Sequence, residues 1–104
     1  MTDTPLIIIA EFETTAATRA PFLAACIEDS IRSVTDEAGC SCFDVLTTPD
    51  EPDTVILHEV YDSPAAFDAH QATPHFKAFS NAVDTLKIRL VSVRKTVRNI
   101  PAPK

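Results

Sequence analysis

Glycine is nearly missing from this sequence: 104 residues carry only Gly39. Phosphate-cradling P-loops and dinucleotide-binding fingerprints need several glycines, because backbone must approach phosphate closely. Both are excluded. Tryptophan is absent altogether. No apolar stretch nears the roughly 18 consecutive residues of a membrane-crossing helix. The opening Met1-Thr2-Asp3-Thr4-Pro5 lacks the basic segment that begins a secretion signal. A cytoplasmic location and no membrane partner are therefore expected. Cysteines are few and odd in number, at positions 26, 40 and 42, which predicts reduced thiols over a disulfide framework. The paired CxxC spacing of a zinc ribbon is missing. Cations are also scarce. Nine Lys and Arg stand against fifteen Asp and Glu, for a net charge of -6. Nucleic acid is bound mainly through Lys and Arg, so it is not an expected partner.

What is present suits one small globular domain, residues 1–104, with residues 100–104 as a tail. The hydrophobic share is 45%, ordinary for a folded chain. Charge is unevenly placed. All fifteen acids lie at or before Asp84, and six of the nine basic residues lie at or after Lys87. That asymmetry predicts a basic last strand, either solvated or set against an acidic surface or an anionic substrate.

Hydrophobic period divides the chain into elements. Residues 5–13 open with a β-branched run and predict strand one. From Arg19 to about Ala38, Phe22, Leu23, Cys26, Ile27, Ile31 and Val34 recur at helical spacing, with Glu28, Asp29 and Arg32 assigned to the other side. Thr18 is the expected N-cap, Pro21 suits the first turn, and Gly39 is expected to end the helix in the left-handed conformation. Residues 40–47 and 54–61 predict an antiparallel pair of strands around the turn Thr48-Pro49-Asp50-Glu51-Pro52-Asp53. Ser63-Pro64 and Thr73-Pro74 each open a helix. Lys87 to about Asn99 is the last strand.

The order β-α-β-β-α-α-β matches the split βαβ, ferredoxin-like α+β plan, a four-stranded antiparallel sheet with helices on one face. Such a sheet should alternate apolar and polar residues. Leu6-Ile7-Ile8-Ile9, Val55-Ile56-Leu57 and the last strand instead put apolar groups on both faces. Each buried aliphatic side chain is worth roughly 1.5–3 kcal/mol. Two-sided strands therefore predict a second sheet packed on the open face, in a homodimer formed through the sheet face and last strand. The phase slip at Leu90-Val91 predicts a bulge.

Ionisable and aromatic residues cluster between His58 and Phe79. Alternation puts Glu59 and Tyr61 on one face of strand three and His58 with Val60 on the other. A carboxylate flanked by apolar residues must find a partner or hold its proton. His70 shares a helix face with Phe67. His75 begins a helix, where the positive dipole end favours neutral, basic imidazole. A new helix start separates the two histidines, so they do not form a metal-ligand pair on one helix, and no metal is expected. Cys40 and Cys42 are placed on one face of strand two. Neither has a basic neighbour in sequence to make it a thiolate.

Five segments, Glu37-Ala38-Gly39-Cys40, Asp44-Val45, Leu57-His58-Glu59-Val60-Tyr61, Ala66-Phe67-Asp68-Ala69-His70 and Thr73-Pro74-His75-Phe76-Lys77, together resemble the antibiotic biosynthesis monooxygenase superfamily. Within it the segments resemble the small quinol monooxygenases. The resemblance implies a dimeric α+β barrel. It also implies cofactor-independent oxidation of a small electron-rich aromatic by molecular oxygen. It further implies His75 or His70 as base, Glu59 and Tyr61 as groups that orient substrate or relay a proton, and Phe67, Phe76 and Cys40 as pocket wall. Ala38 departs from the family's proline. Ser41, Cys42 and Phe43 stand where a longer polar residue and a tyrosine are common. Lack of tryptophan sets the chain apart from the haem-degrading branch.

Two other readings use the same residues. One is isomerisation of a small enolisable ketone, phosphorylated or not, with Lys77 or the last strand supplying a cation. The other is a non-catalytic ligand-binding dimer.

Overall fold

Runs of period two and period 3.6 become seven elements in the computed structural model, which describes residues 4–100. In order these are β1 (Leu6–Glu13), α1 (Arg19–Asp36), β2 (Cys40–Thr47), β3 (Thr54–Tyr61), α2 (Pro64–Gln71), α3 (Pro74–Thr85) and β4 (Arg89–Thr96). The strands form one antiparallel sheet in the order β2-β3-β1-β4. This is the expected ferredoxin-like α+β arrangement. No described helix is long and apolar enough to cross a membrane. The tail at residues 101–104 lies outside the described residues.

One face of the sheet carries Leu6, Ile8, Ala10 and Phe12 from β1 and Val55, Leu57, Glu59 and Tyr61 from β3, all buried. Phe12, Phe22 and Phe79 meet there with ring centroids 5.3 to 5.8 Å apart, tying β1 to α1 and α3. Such aromatic pairs add about 0.5–1.5 kcal/mol each beyond burial. The α2 and α3 starts are as read from sequence. Ser63 Oγ accepts from Ala66 N–H at 3.1 Å, and Thr73 Oγ1 accepts from Phe76 N–H at 3.1 Å. Thr18 occupies the N-cap position of α1 without a side-chain cap bond. Its hydroxyl instead accepts from Thr15 N–H at 2.9 Å.

Four local expectations are corrected. The buried stripe of α1 is Phe22, Cys26, Asp29 and Ser33, while Ile27, Ile31 and Val34 are exposed. On that inward side Ser33 Oγ lies 3.4 Å from both Asp29 Oδ1 and His70 Nδ1. Gly39 is not left-handed; Lys87, with φ 55°, is the described residue that is. There the chain leaves α3, so β4 starts at Arg89 and not at Lys87. Cys40 and Cys42 point to opposite faces. Cys40 pairs with Tyr61 and Cys42 with Val60, so Ser41 is an extra, bulged residue between them. The bulge expected in β4 is present. Leu90 opposes Phe12 and Ser92 opposes Glu11, leaving Val91 unpaired.

Gly39 has a different reason to be glycine. A Cβ built there would lie 2.7 Å from the Ala66 Cβ on α2. Both chains are backbone-anchored and neither can rotate away. Gly39→Ala should destabilise by about 1–3 kcal/mol, the usual cost of overpacking. Denaturant unfolding should show the loss, and Gly39→Ala with Ala66→Gly should recover most of it.

Candidate active site

Between the helices and the sheet lies a group of buried polar side chains. β3 supplies Glu59, 5% exposed, and Tyr61, fully buried. Tyr61 OH donates to Glu59 Oε1 at 2.5 Å. α1 supplies Asp29 and Ser33, one turn apart, with Ser33 Oγ donating to Asp29 Oδ1 at 3.4 Å. Near the end of α2, His70 is 1% exposed. At the start of α3 stands His75. Glu37, just past α1, lies between the two rings. Its Oε2 is 2.8 Å from His70 Nδ1 and 2.5 Å from His75 Nε2.

Two spaces flank this group. An inner cavity of about 210 Å³ is walled by Ile8, Leu57, Phe67, Phe76 and Phe79, and His70, Glu59 and Asp29 also line it. An outer groove of about 580 Å³ runs between α1 and α3, with Asp29, Glu37 and His75 on its wall. His70 therefore meets the cavity, His75 meets the groove, and Glu37 joins them.

Burial decides the protonation of these groups. It pushes Asp29 up to about 7, helped by the Glu59 charge and opposed by His75 and the Ser33 hydrogen bond. Burial likewise pushes Glu59 up to about 7; the Tyr61 hydroxyl opposes it and the Glu37 charge adds to it. Burial first, then the Glu59 carboxylate, pushes the Tyr61 phenol up, so it stays a neutral donor. Burial pulls His70 down despite its hydrogen bond to Glu37. A neutral His70 that donates Nδ1–H to Glu37 carries its lone pair on Nε2, ready to accept a proton.

Of the residues singled out in sequence, His70, Glu59, Phe67 and Phe76 are brought together on the cavity wall. Tyr61 sits behind Glu59. His75 is on the outer groove. Cys40 lies in the core beside Tyr61, off the cavity wall, and burial pushes its thiol up to about 12. Asp29, Ser33 and Glu37 were missed as site residues. A polar pair at helical spacing with Phe22 and Cys26 was the available signal for the first two, and the more hydrophobic Ile27 stripe masked it. The separate helix starts also hid how close the histidines are. Asp29, His70 and His75 each offer a ligand atom within 4.8 Å of the others, but Glu37 already fills the space between the imidazoles.

The family pattern described as antibiotic biosynthesis monooxygenase matches residues 5–82. The chain belongs to this family. No curated protein is similar enough to this ABM chain to count as a match. Solved structures share its fold. A conserved protein of unknown function from Bacteroides thetaiotaomicron, named as a possible oxidoreductase, is 18% identical with a TM-score of 0.85, over 92% of this chain and 99% of that one. A protein from Pseudomonas aeruginosa is 24% identical with a TM-score of 0.82, over 96% and 99%. A Chloroflexus aurantiacus protein, named as a proposed antibiotic biosynthesis monooxygenase, is 22% identical with a TM-score of 0.74, over 96% and 98%.

The two raised carboxyls make the ABM chain's stability depend on pH. Between about 4 and 7, folded Asp29 and Glu59 hold protons that the unfolded chain releases, so stability falls as pH rises through that window. His70, lowered on folding, acts in the opposite sense below its unfolded value, one group against two. The thermal midpoint should drop from pH 5 to pH 7.5. Asp29→Asn and Glu59→Gln should each flatten the profile, as followed by circular dichroism.

Proposed function

We propose that this chain is a cofactor-independent monooxygenase that oxidises a small quinol-like aromatic with molecular oxygen. One observation carries the reading: an apolar, phenylalanine-walled cavity into which a buried neutral histidine and two raised carboxyls converge. Apolar pockets with a few convergent polar groups and perturbed titrations are where ligands bind.

His70 acts as base, and its place on the cavity wall supports it over His75. Nε2 takes the phenolic proton, and Glu37 holds Nδ1–H and stabilises the imidazolium. The resulting anion is a good one-electron donor. It passes an electron to oxygen, and the radical pair recombines with a carbon–oxygen bond. The peroxide O–O bond then breaks as the ring C–H proton leaves. One oxygen atom stays on the ring and the other departs as water. The substrate supplies all four electrons, so no outside reductant enters the balance. Glu59, held by Tyr61, orients a substrate oxygen or returns a proton.

Cavity size bears on the substrate. An apolar space of about 150 Å³ admits benzene, so about 210 Å³ favours one or two rings over a three-ring anthrone. The open face of the sheet, with Ile7, Ile9, Leu46, Ile56 and Val60 among its residues, supports a homodimer through that face and β4. One contact favours the isomerase as a second reading: Lys95 Nζ on β4 lies 5.7 Å from the Phe67 ring centroid, a cation near the cavity for an anionic ketone.

Oxygen uptake on one- and two-ring hydroquinones, with autoxidation subtracted, tests the proposal. Uptake should saturate with substrate and persist after chelation. His70→Ala should cut kcat by about 100-fold or more, within the usual contribution of a general base, and His75→Ala by less. If uptake never exceeds background with any hydroquinone, the monooxygenase reading is wrong; turnover of an enolisable ketone without oxygen would replace it with the isomerase.

A further inference from the structure

We propose that Cys42, Asp44 and His58, on the open face of the sheet, form a binding site for a borderline-soft divalent cation of the zinc class. The site is separate from the cavity and independent of the monooxygenase reading.

The fold assembles it from two strands. The Ser41 bulge turns Cys42 outward, Asp44 follows two residues on along β2, and His58 on β3 is the cross-strand partner of Asp44. Side chains two apart on one strand, and opposite each other across a ladder, share a face. Cys42 Sγ is 3.3 Å from Asp44 Oδ2 and 3.8 Å from His58 Nδ1. His58 Nδ1 is 3.3 Å from Asp44 Oδ2.

Those three edges can be compared with a zinc centre. Zinc–sulfur bonds of about 2.3 Å and zinc–nitrogen or –oxygen bonds of about 2.0–2.1 Å at tetrahedral angles place sulfur about 3.5 Å from each of the other donors. Nitrogen and oxygen are then about 3.3 Å apart. The observed triangle agrees with this to about 0.3 Å on every edge, so one ion fits with small side-chain adjustments. In the single chain His58 is 35% and Asp44 55% exposed, and in the proposed dimer the trio would lie against the second sheet.

The donor set also selects the ion. A thiolate with an imidazole and a carboxylate suits zinc, cobalt or nickel and disfavours magnesium and calcium, which want oxygen alone. On binding, Cys42 forms the metal–sulfur bond and its thiol proton goes to solvent. Three protein donors leave a fourth tetrahedral position, for water or for a donor from a second sheet packed on this face. The inner trio of Asp29, His70 and His75 lacks this opening, because Glu37 stands between its rings.

Cobalt(II), which takes zinc geometry and is coloured, is the probe. The full chain, stripped with chelator, is titrated with Co2+ and then with Zn2+. One Co2+ per chain should bind, with a thiolate-to-cobalt charge-transfer band and intense visible bands of tetrahedral type, and Zn2+ should abolish both. Cys42→Ser should remove the charge-transfer band. Loss of even an outer partner of a metal ligand costs about 10–100-fold in affinity, so His58→Ala should weaken Co2+ binding at least about 10-fold. His75→Ala should leave the spectrum unchanged. If Cys42→Ser does not fold, Asp44→Asn and His58→Ala read the same site. The proposal is overturned by a wild-type chain without the charge-transfer band, by a band that survives Cys42→Ser, or by binding that depends on His75 and not on His58.

Discussion

A single carboxylate, that of Glu37, lies between two imidazoles, and the geometry of the candidate site hangs on it. Its Oε2 reaches both His70 Nδ1 and His75 Nε2. Those rings come from the end of one helix and the start of the next, and Glu37 itself follows a third. The shared anion thus gathers α1, α2 and α3 at one corner. The break between α2 and α3 makes this contact possible. A continuous helix would carry His70 and His75 on widely separated faces, whereas the turn at Thr73-Pro74 brings their ring centroids to 5.8 Å. The same contact selects which nitrogen of His70 is free, and so which atom can take a proton from a molecule in the cavity.

The buried acids behind it are balanced in an unusual way. Asp29 and Glu59 are buried, and no lysine or arginine is buried among the described residues. Their close hydrogen-bond donors are the hydroxyls of Ser33 and Tyr61. A buried carboxylate without a cation is costly unless it takes up a proton. The interior therefore stores exchangeable protons near neutral pH, next to an aromatic-walled space. On the wall of that space the two acids can donate a proton and His70 Nε2 can accept one.

Most of the fold was legible in the sequence because its signals are local. The serine–proline and threonine–proline starts cap the helices as expected, and the slip at Leu90-Val91 is a true bulge. The site was half legible. Glu59, Tyr61, His70, Phe67 and Phe76 stand out by type and neighbours. Asp29 and Ser33 did not, because hydrophobicity alone chose the Ile27, Ile31 and Val34 side of α1 as the inward one. A helix orients by what its neighbours can satisfy, and a buried hydrogen-bond network can outweigh a second apolar stripe. Gly39 misled in another way: its lack of a side chain answers a crowding partner 27 residues later, Ala66, which no local rule reports. The Ser41 bulge, likewise, shows only in the pairing with β3, and it parts two cysteines that strict alternation keeps together.

The place of β4 in the sheet has a consequence for how the protein comes into being. β1 is laid down first, yet one of its two edges stays open until Arg89–Thr96 arrives to pair with it. Leu90 and Val93 of that strand are part of the cavity wall. Without β4 the histidines and carboxylates would border a chamber that lacks a side. Long-range pairing of this kind is slow, and an open apolar edge invites association with other chains. Enclosure of the cavity therefore rests on a contact between segments more than seventy residues apart, and loosening β4 alone would open the chamber while leaving its histidines and carboxylates on the other elements.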